Sequence, residues 1–144
     1  MKLIYFLPII LLLTSCTTRQ VEISQIDFNA DACLGTCPIF TMTILDDGTA
    51  VYDAKMYNNQ KGHLKTIIQK NQLDSLKTLI QLSDFFSLKD KYSAMMTDHP
   101  TYTLTIKEKN GRIKTIEDYG PNGPDKLDKI YDLIFSLRDS QSWR

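Results

Sequence analysis

The chain has 144 residues, 17 of them basic and 17 acidic, so its formal net charge is zero. That balance excludes an ordinary nucleic-acid binder, which needs a basic excess or stripe. With 42% hydrophobic residues and three cysteines, the length fits one domain that builds its core without metal or many disulfides.

The first element is a leader. Residues 3–13 are almost wholly apolar after Met1-Lys2, a run of about 11 against the roughly 20 that a membrane-spanning helix requires. It ends in Leu13-Thr14-Ser15-Cys16, a stretch that resembles the bacterial lipobox. The resemblance implies removal of residues 1–15 as a signal peptide and acylation of Cys16. The mature chain would then hang by lipid from a bilayer, outside the cytoplasm. Thr17, where an Asp would signal inner-membrane retention, favours the outer membrane by the same resemblance. Only Lys2 leaves with the leader, so 16 basic and 17 acidic residues remain, and no polybasic patch adds to the anchor. Residues 16–20 form a short polar tether.

Residues 21–28 alternate apolar and polar with one slip, which predicts a strand. Residues 29–38, with Gly35 and two cysteines, predict a loop. Residues 39–45 and 50–57 predict a hairpin around Asp46-Asp47-Gly48, and residues 64–69 a third antiparallel strand. Asn71 reads as the N-cap of a helix over 72–82, with Leu73, Leu76, Leu79 and Ile80 on one face. Residues 85–92 read as a hydrophobic connection over the core. A second hairpin, 101–108 with 113–118, turns at Asn110-Gly111. Pro124 suits the first position of a helix whose stripe is Leu127, Ile130, Tyr131, Ile134 and Leu137. Residues 140–144 read as a frayed tail, which leaves 21–139 as the domain.

The segment beginning Cys37-Pro38-Ile39-Phe40-Thr41 aligns with His99-Pro100-Thr101-Tyr102-Thr103, an offset of 62 residues. Two such units predict an α+β fold. Its antiparallel sheet is built from two hairpin-containing units, each followed by an amphipathic helix, with both helices on one face. The expected core comprises Phe40, Met42, Ile44, Leu73, Leu76, Ile80, Tyr102, Leu104, Ile106, Leu127, Ile130 and Ile134.

Cys33-Leu34-Gly35-Thr36-Cys37-Pro38 resembles the C-x-G-x-C-P motif of a bacterial domain family of unknown function. The resemblance continues through Phe85-Phe86-Ser87-Leu88, Thr97-Asp98-His99-Pro100-Thr101 and Asp118-Tyr119-Gly120. It implies a compact α+β domain, common on secreted and lipid-anchored proteins, and it implies no activity.

Three chemistries are open to the cysteine pair. In an oxidising envelope, Cys33 and Cys37 suit a structural disulfide. C-x-x-x-C-P is also similar to the motif of the Sco-type copper chaperones, so Cys33, Cys37 and His99 form an alternative copper or thiol-redox set. A Cys–His nucleophile would need a reduced thiol. His63 reads as solvated, and Asp98-His99-Pro100 as loop-to-strand punctuation. Residues 118–123 read as a rigid turn, because Asp125 in the next helix repels an anion. No Ser elbow, paired carboxylate or zinc-spaced His pair is present. The expectation is a lipid-anchored, non-enzymatic binding or structural module without a cofactor. Its partners would be the membrane and an envelope protein or small ligand.

Overall fold

Alternating side chains build seven strands, and their turns close them into one sheet. The computed structural model describes residues 21–144; the expected leader, Cys16 and the rest of the tether lie outside the described residues. The elements run β1 (Ile23–Ala30), β2 (Ile39–Leu45), β3 (Thr49–Met56), β4 (Gly62–Ile67), α1 (Lys70–Leu82), β5 (Lys91–Ser93), β6 (Thr101–Glu108), β7 (Ile113–Tyr119) and α2 (Asp125–Ser140). Their order in the sheet is β4-β3-β2-β1-β6-β7-β5. Every pairing is antiparallel except β5 with β7, which is parallel. The fold is therefore mixed α+β.

The first strand organises the rest. Phe28 of β1 pairs with Met42 on one side and Leu104 on the other, and Ile26 likewise with Ile44 and Ile106. Both pairs carry the 62-residue offset seen in the sequence. The two hairpins nevertheless extend from β1 in opposite directions while burying the same face. No rotation does both, so they are related as approximate mirror images in the sheet rather than by a rotational repeat. Their common register comes from sharing β1.

Turn chemistry fixes the β2–β3 hairpin. Gly48 has φ +90°, and a Cβ there would lie 2.9 Å from the Ile68 carbonyl oxygen. Asp47 accepts the Thr49 amide at 2.8 Å, closing the turn.

Helix starts depart from expectation by a few residues. Asn71 is not the N-cap of α1; extended Gln69 holds that place, and its carbonyl accepts the amides of Gln72 and Leu73 at 3.0 Å each. Pro124 is the cap residue of α2 rather than its first helical residue, with ψ 149°. Asp125 and Asp128 then fall in the first turn, where the helix dipole favours them.

The buried residues of one sheet face join those of both helices in a single core. Every expected core residue is buried except Tyr102, which is partly exposed and packs against the cluster. Phe28, Tyr52, Phe85, Ile116 and Trp143 belong to it as well. Residues 85–92 contribute a 3₁₀ turn, Phe85–Ser87, and then supply most of the edge strand β5.

The frayed tail is overturned. Trp143 is buried, its ring lies 5.0 Å from Tyr52, and its indole N–H donates to the Arg138 carbonyl at 2.9 Å. Arg144 and Lys65 exchange backbone hydrogen bonds of 3.1 and 2.8 Å, which lays the C-terminus along β4. Burying a large aromatic surface while satisfying its N–H outweighs the entropy of a loose end.

Candidate functional site

Three clusters of polar or reactive side chains stand out, and each is built by a different part of the fold. The first is the loop between β1 and β2. Cys33 and Cys37 are joined in a disulfide with Cα atoms 5.8 Å apart, inside the range that a bridge requires. The Leu34 amide donates to the Asp98 carbonyl at 3.3 Å, so the stapled loop lies beside the segment carrying His99. Both sulfurs are spent on each other. Among the described residues, no group of three or more His, Cys, Asp or Glu is placed to hold a metal ion, and so Cys33, Cys37 and His99 form no ligand set. His63 is exposed on the edge strand β4, opposite Asp53.

Removing both cysteines should destabilise the fold by about 2 kcal/mol while leaving it intact, because the closed loop is short. Urea unfolding of Cys33→Ser/Cys37→Ser measures the loss. A value near zero would mean that hydrogen bonds such as Leu34 to Asp98 hold the loop without the bridge.

The second cluster is the β7–α2 junction. Asp118 is fully buried and accepts the Asn122 amide at 2.8 Å, the Gly123 amide at 3.2 Å and the Tyr131 hydroxyl at 3.3 Å. Burial first, and then the Asp118 charge, push the Tyr131 phenol well above its ordinary value. A Cβ on Gly123 would lie 2.8 Å from both Asp118 Oδ2 and Leu127 Cδ1, so a larger residue would have to displace two buried side chains. The amides that might have met an external anion already serve Asp118. This loop is a turn and a helix entry.

The third cluster is on the sheet face opposite the core, and sequence reasoning missed it. Asp27 of β1 accepts both Gln25 amide contacts, at 2.7 and 2.8 Å, and the Thr43 hydroxyl at 2.8 Å. Lys107 Nζ lies 3.2 Å from its other oxygen. The register puts Thr43 and Thr105 on either side of Asp27, and Thr105 hydrogen bonds to Thr115 at 2.8 Å. A hydroxyl- and amide-lined carboxylate therefore lies in the middle of a partly exposed polar face. Strand alternation could have indicated the face, whereas the partners come from strands far apart in sequence.

The fold that carries these clusters coincides with a known family. The model of the domain of unknown function DUF6438 matches residues 24–138, from the second residue of β1 almost to the end of α2. The chain belongs to this family. No curated protein matches it. Membership in DUF6438 carries no assigned activity. The disulfide loop, the Asp118 junction and the Asp27 face all fall inside the matched domain. Among the described residues, no helix is long and apolar enough to cross a membrane.

Proposed function

We propose that the protein is a lipid-anchored, non-enzymatic binding module of the bacterial envelope, with the outer membrane as the favoured site. Its recognition surface is the polar sheet face centred on Asp27. The observation that carries the binding role is the Asp27 network: hydroxyl, amide, ammonium and carboxylate groups converge on a face that the helices leave uncovered. Such a face suits a polar partner, an envelope protein or a small ligand, read by hydrogen bonds. Support for the anchor comes from the Leu13-Thr14-Ser15-Cys16 lipobox and a leader too short to span a bilayer.

Two measurements test this. A photocrosslinking residue at Thr43 or Thr105 should trap a discrete partner in native membranes, and one at Ser136 on α2 should not. Equal, diffuse labelling at all three positions would count against recognition by this face. Cys16→Ser should accumulate as an unprocessed, unlipidated precursor. Labelling with a fatty-acid analogue checks that, and undiminished label in the variant would refute the anchor.

A further inference from the structure

Chain entry into the domain lies at one end of the strands. Val21 lines a groove with Ile80, Phe85 and Arg112, and the Lys109 amide donates to the Glu22 carbonyl at 2.8 Å. Both hairpin turns, at residues 46–48 and 109–112, close at this end. The last cross-strand row of the uncovered face lies here too. Pairing sets Ile67 beside Thr49, Leu45 beside Gln25, Gln25 beside Lys107 and Lys107 beside Ile113.

The centre of the uncovered face is polar around Asp27, whereas this row sets three large apolar side chains in water between Thr49, Gln25 and Lys107; at the opposite end Leu34, Met95 and Met96 are exposed on loops. Ile67 is 74% exposed, Ile113 59% and Leu45 37%. The row crosses six strands, so its ends lie five spacings apart, roughly 24 Å at the usual strand spacing. At its centre the neighbouring cations are paired, Lys107 with Asp27 and Lys109 with Asp46 at 3.1 Å, while Lys65 and Arg144 lie beside Ile67 at one end.

We propose that this row is the edge on which the domain rests against the phospholipid bilayer, with Leu45, Ile67 and Ile113 entering the headgroup region. The proposal rests on the Cys16 anchor proposed above. From Cys16 to Val21 the chain reaches at most about 18 Å, so an anchored chain confines this end to the bilayer surface. Apolar side chains confined there gain by leaving water. Because the three side chains that enter are apolar and the central lysines are paired, the contact is chiefly apolar and depends little on salt or anionic lipid. The sheet then stands edge-on, with its polar face accessible from the side and the disulfide loop furthest from the bilayer.

The test uses the full lipidated protein in vesicles of phosphatidylcholine containing a brominated fraction, which quenches tryptophan at headgroup and acyl depth. Ile113→Trp and Ile67→Trp are compared with Leu34→Trp, 79% exposed in the disulfide loop. Quenching at 113 and 67 should exceed that at 34 by about threefold and persist in high salt, as expected of apolar interfacial contact. Equal quenching at the three positions, or quenching abolished by salt, overturns the proposal. Fatty-acid labelling of the same samples separates the failures. Label without selective quenching overturns this inference alone, and absence of label overturns the anchor with it.

Discussion

Phe28→Ala should lower the free energy of unfolding by about 4 kcal/mol, among the largest effects expected from one substitution in the domain. Phe28 is 2% exposed at the centre of the sheet, and four rings surround it. Phe40, Tyr102, Tyr131 and Phe135 have centroids 5.6, 5.4, 5.7 and 5.9 Å away. Two of these neighbours belong to strands on either side of β1 and two to α2, so truncation opens a cavity where sheet meets helix. A rigid ring cluster collapses poorly into such a space. Leu76→Ala and Ile130→Ala, each fully buried on its helix, should cost roughly 2–5 kcal/mol. Urea titration measures all three, and an unchanged m-value would confirm that the denatured state is unaffected. Losses below about 1 kcal/mol at Leu76 and Ile130 would mean that the helices do not pack on the sheet as described.

Asp118→Ala should cost about 3 kcal/mol, close behind the core truncations, because it leaves two amides and a phenol without their acceptor. The Asn122 amide is near solvent and will find water, whereas the Tyr131 hydroxyl is buried against the same carboxylate. Tyr131→Phe removes only that last bond and should cost about 1 kcal/mol. The ratio is the informative quantity. If the two variants lose equally, the carboxylate acts through the phenol alone, and the loop before α2 closes without it. Amide exchange at Asn122 and Gly123 should accelerate in Asp118→Ala and not in Tyr131→Phe.

How much of this was legible depended on whether the cause was local. Asp-Asp-Gly and Asn-Gly carry their turns in their own backbone preferences, and both hairpins form where those residues predict them. The i, i+3, i+4 stripes likewise gave both helices, with boundaries off by one or two residues because capping is decided by the backbone at Gln69 and Pro124. Phe28 escaped the expected core because the alternation of β1 slips, and the structure shows an irregularity in register between Ile23 and Gln25. That shift resets which side chains face inward. Strand β5 is three residues long and pairs in parallel with β7, so nothing in Lys91-Tyr92-Ser93 alone announces it. Trp143 could have been anticipated: a tryptophan after a helix seldom gains by staying in water. The Asp27 network was out of reach, since its partners Thr43 and Lys107 lie on strands that only the folded topology brings beside β1. The disulfide was the opposite case, since two cysteines four residues apart around a glycine already suggest a bridged loop.

The sheet's two margins carry a consequence for how copies of the molecule behave when crowded. An unpaired outer strand is a template for another chain, and a shared bilayer would crowd copies into two dimensions. Here one margin is the three-residue β5, too short to nucleate a stable intermolecular ladder. The other, β4, has Lys65 joined to Arg144 through the backbone, and its charged Lys65 side chain is exposed. The final residues thus act as a guard against strand addition. Removing them would leave β4 open to pairing with β4 of a second copy, a closed dimer and not a filament, because β5 offers no second edge.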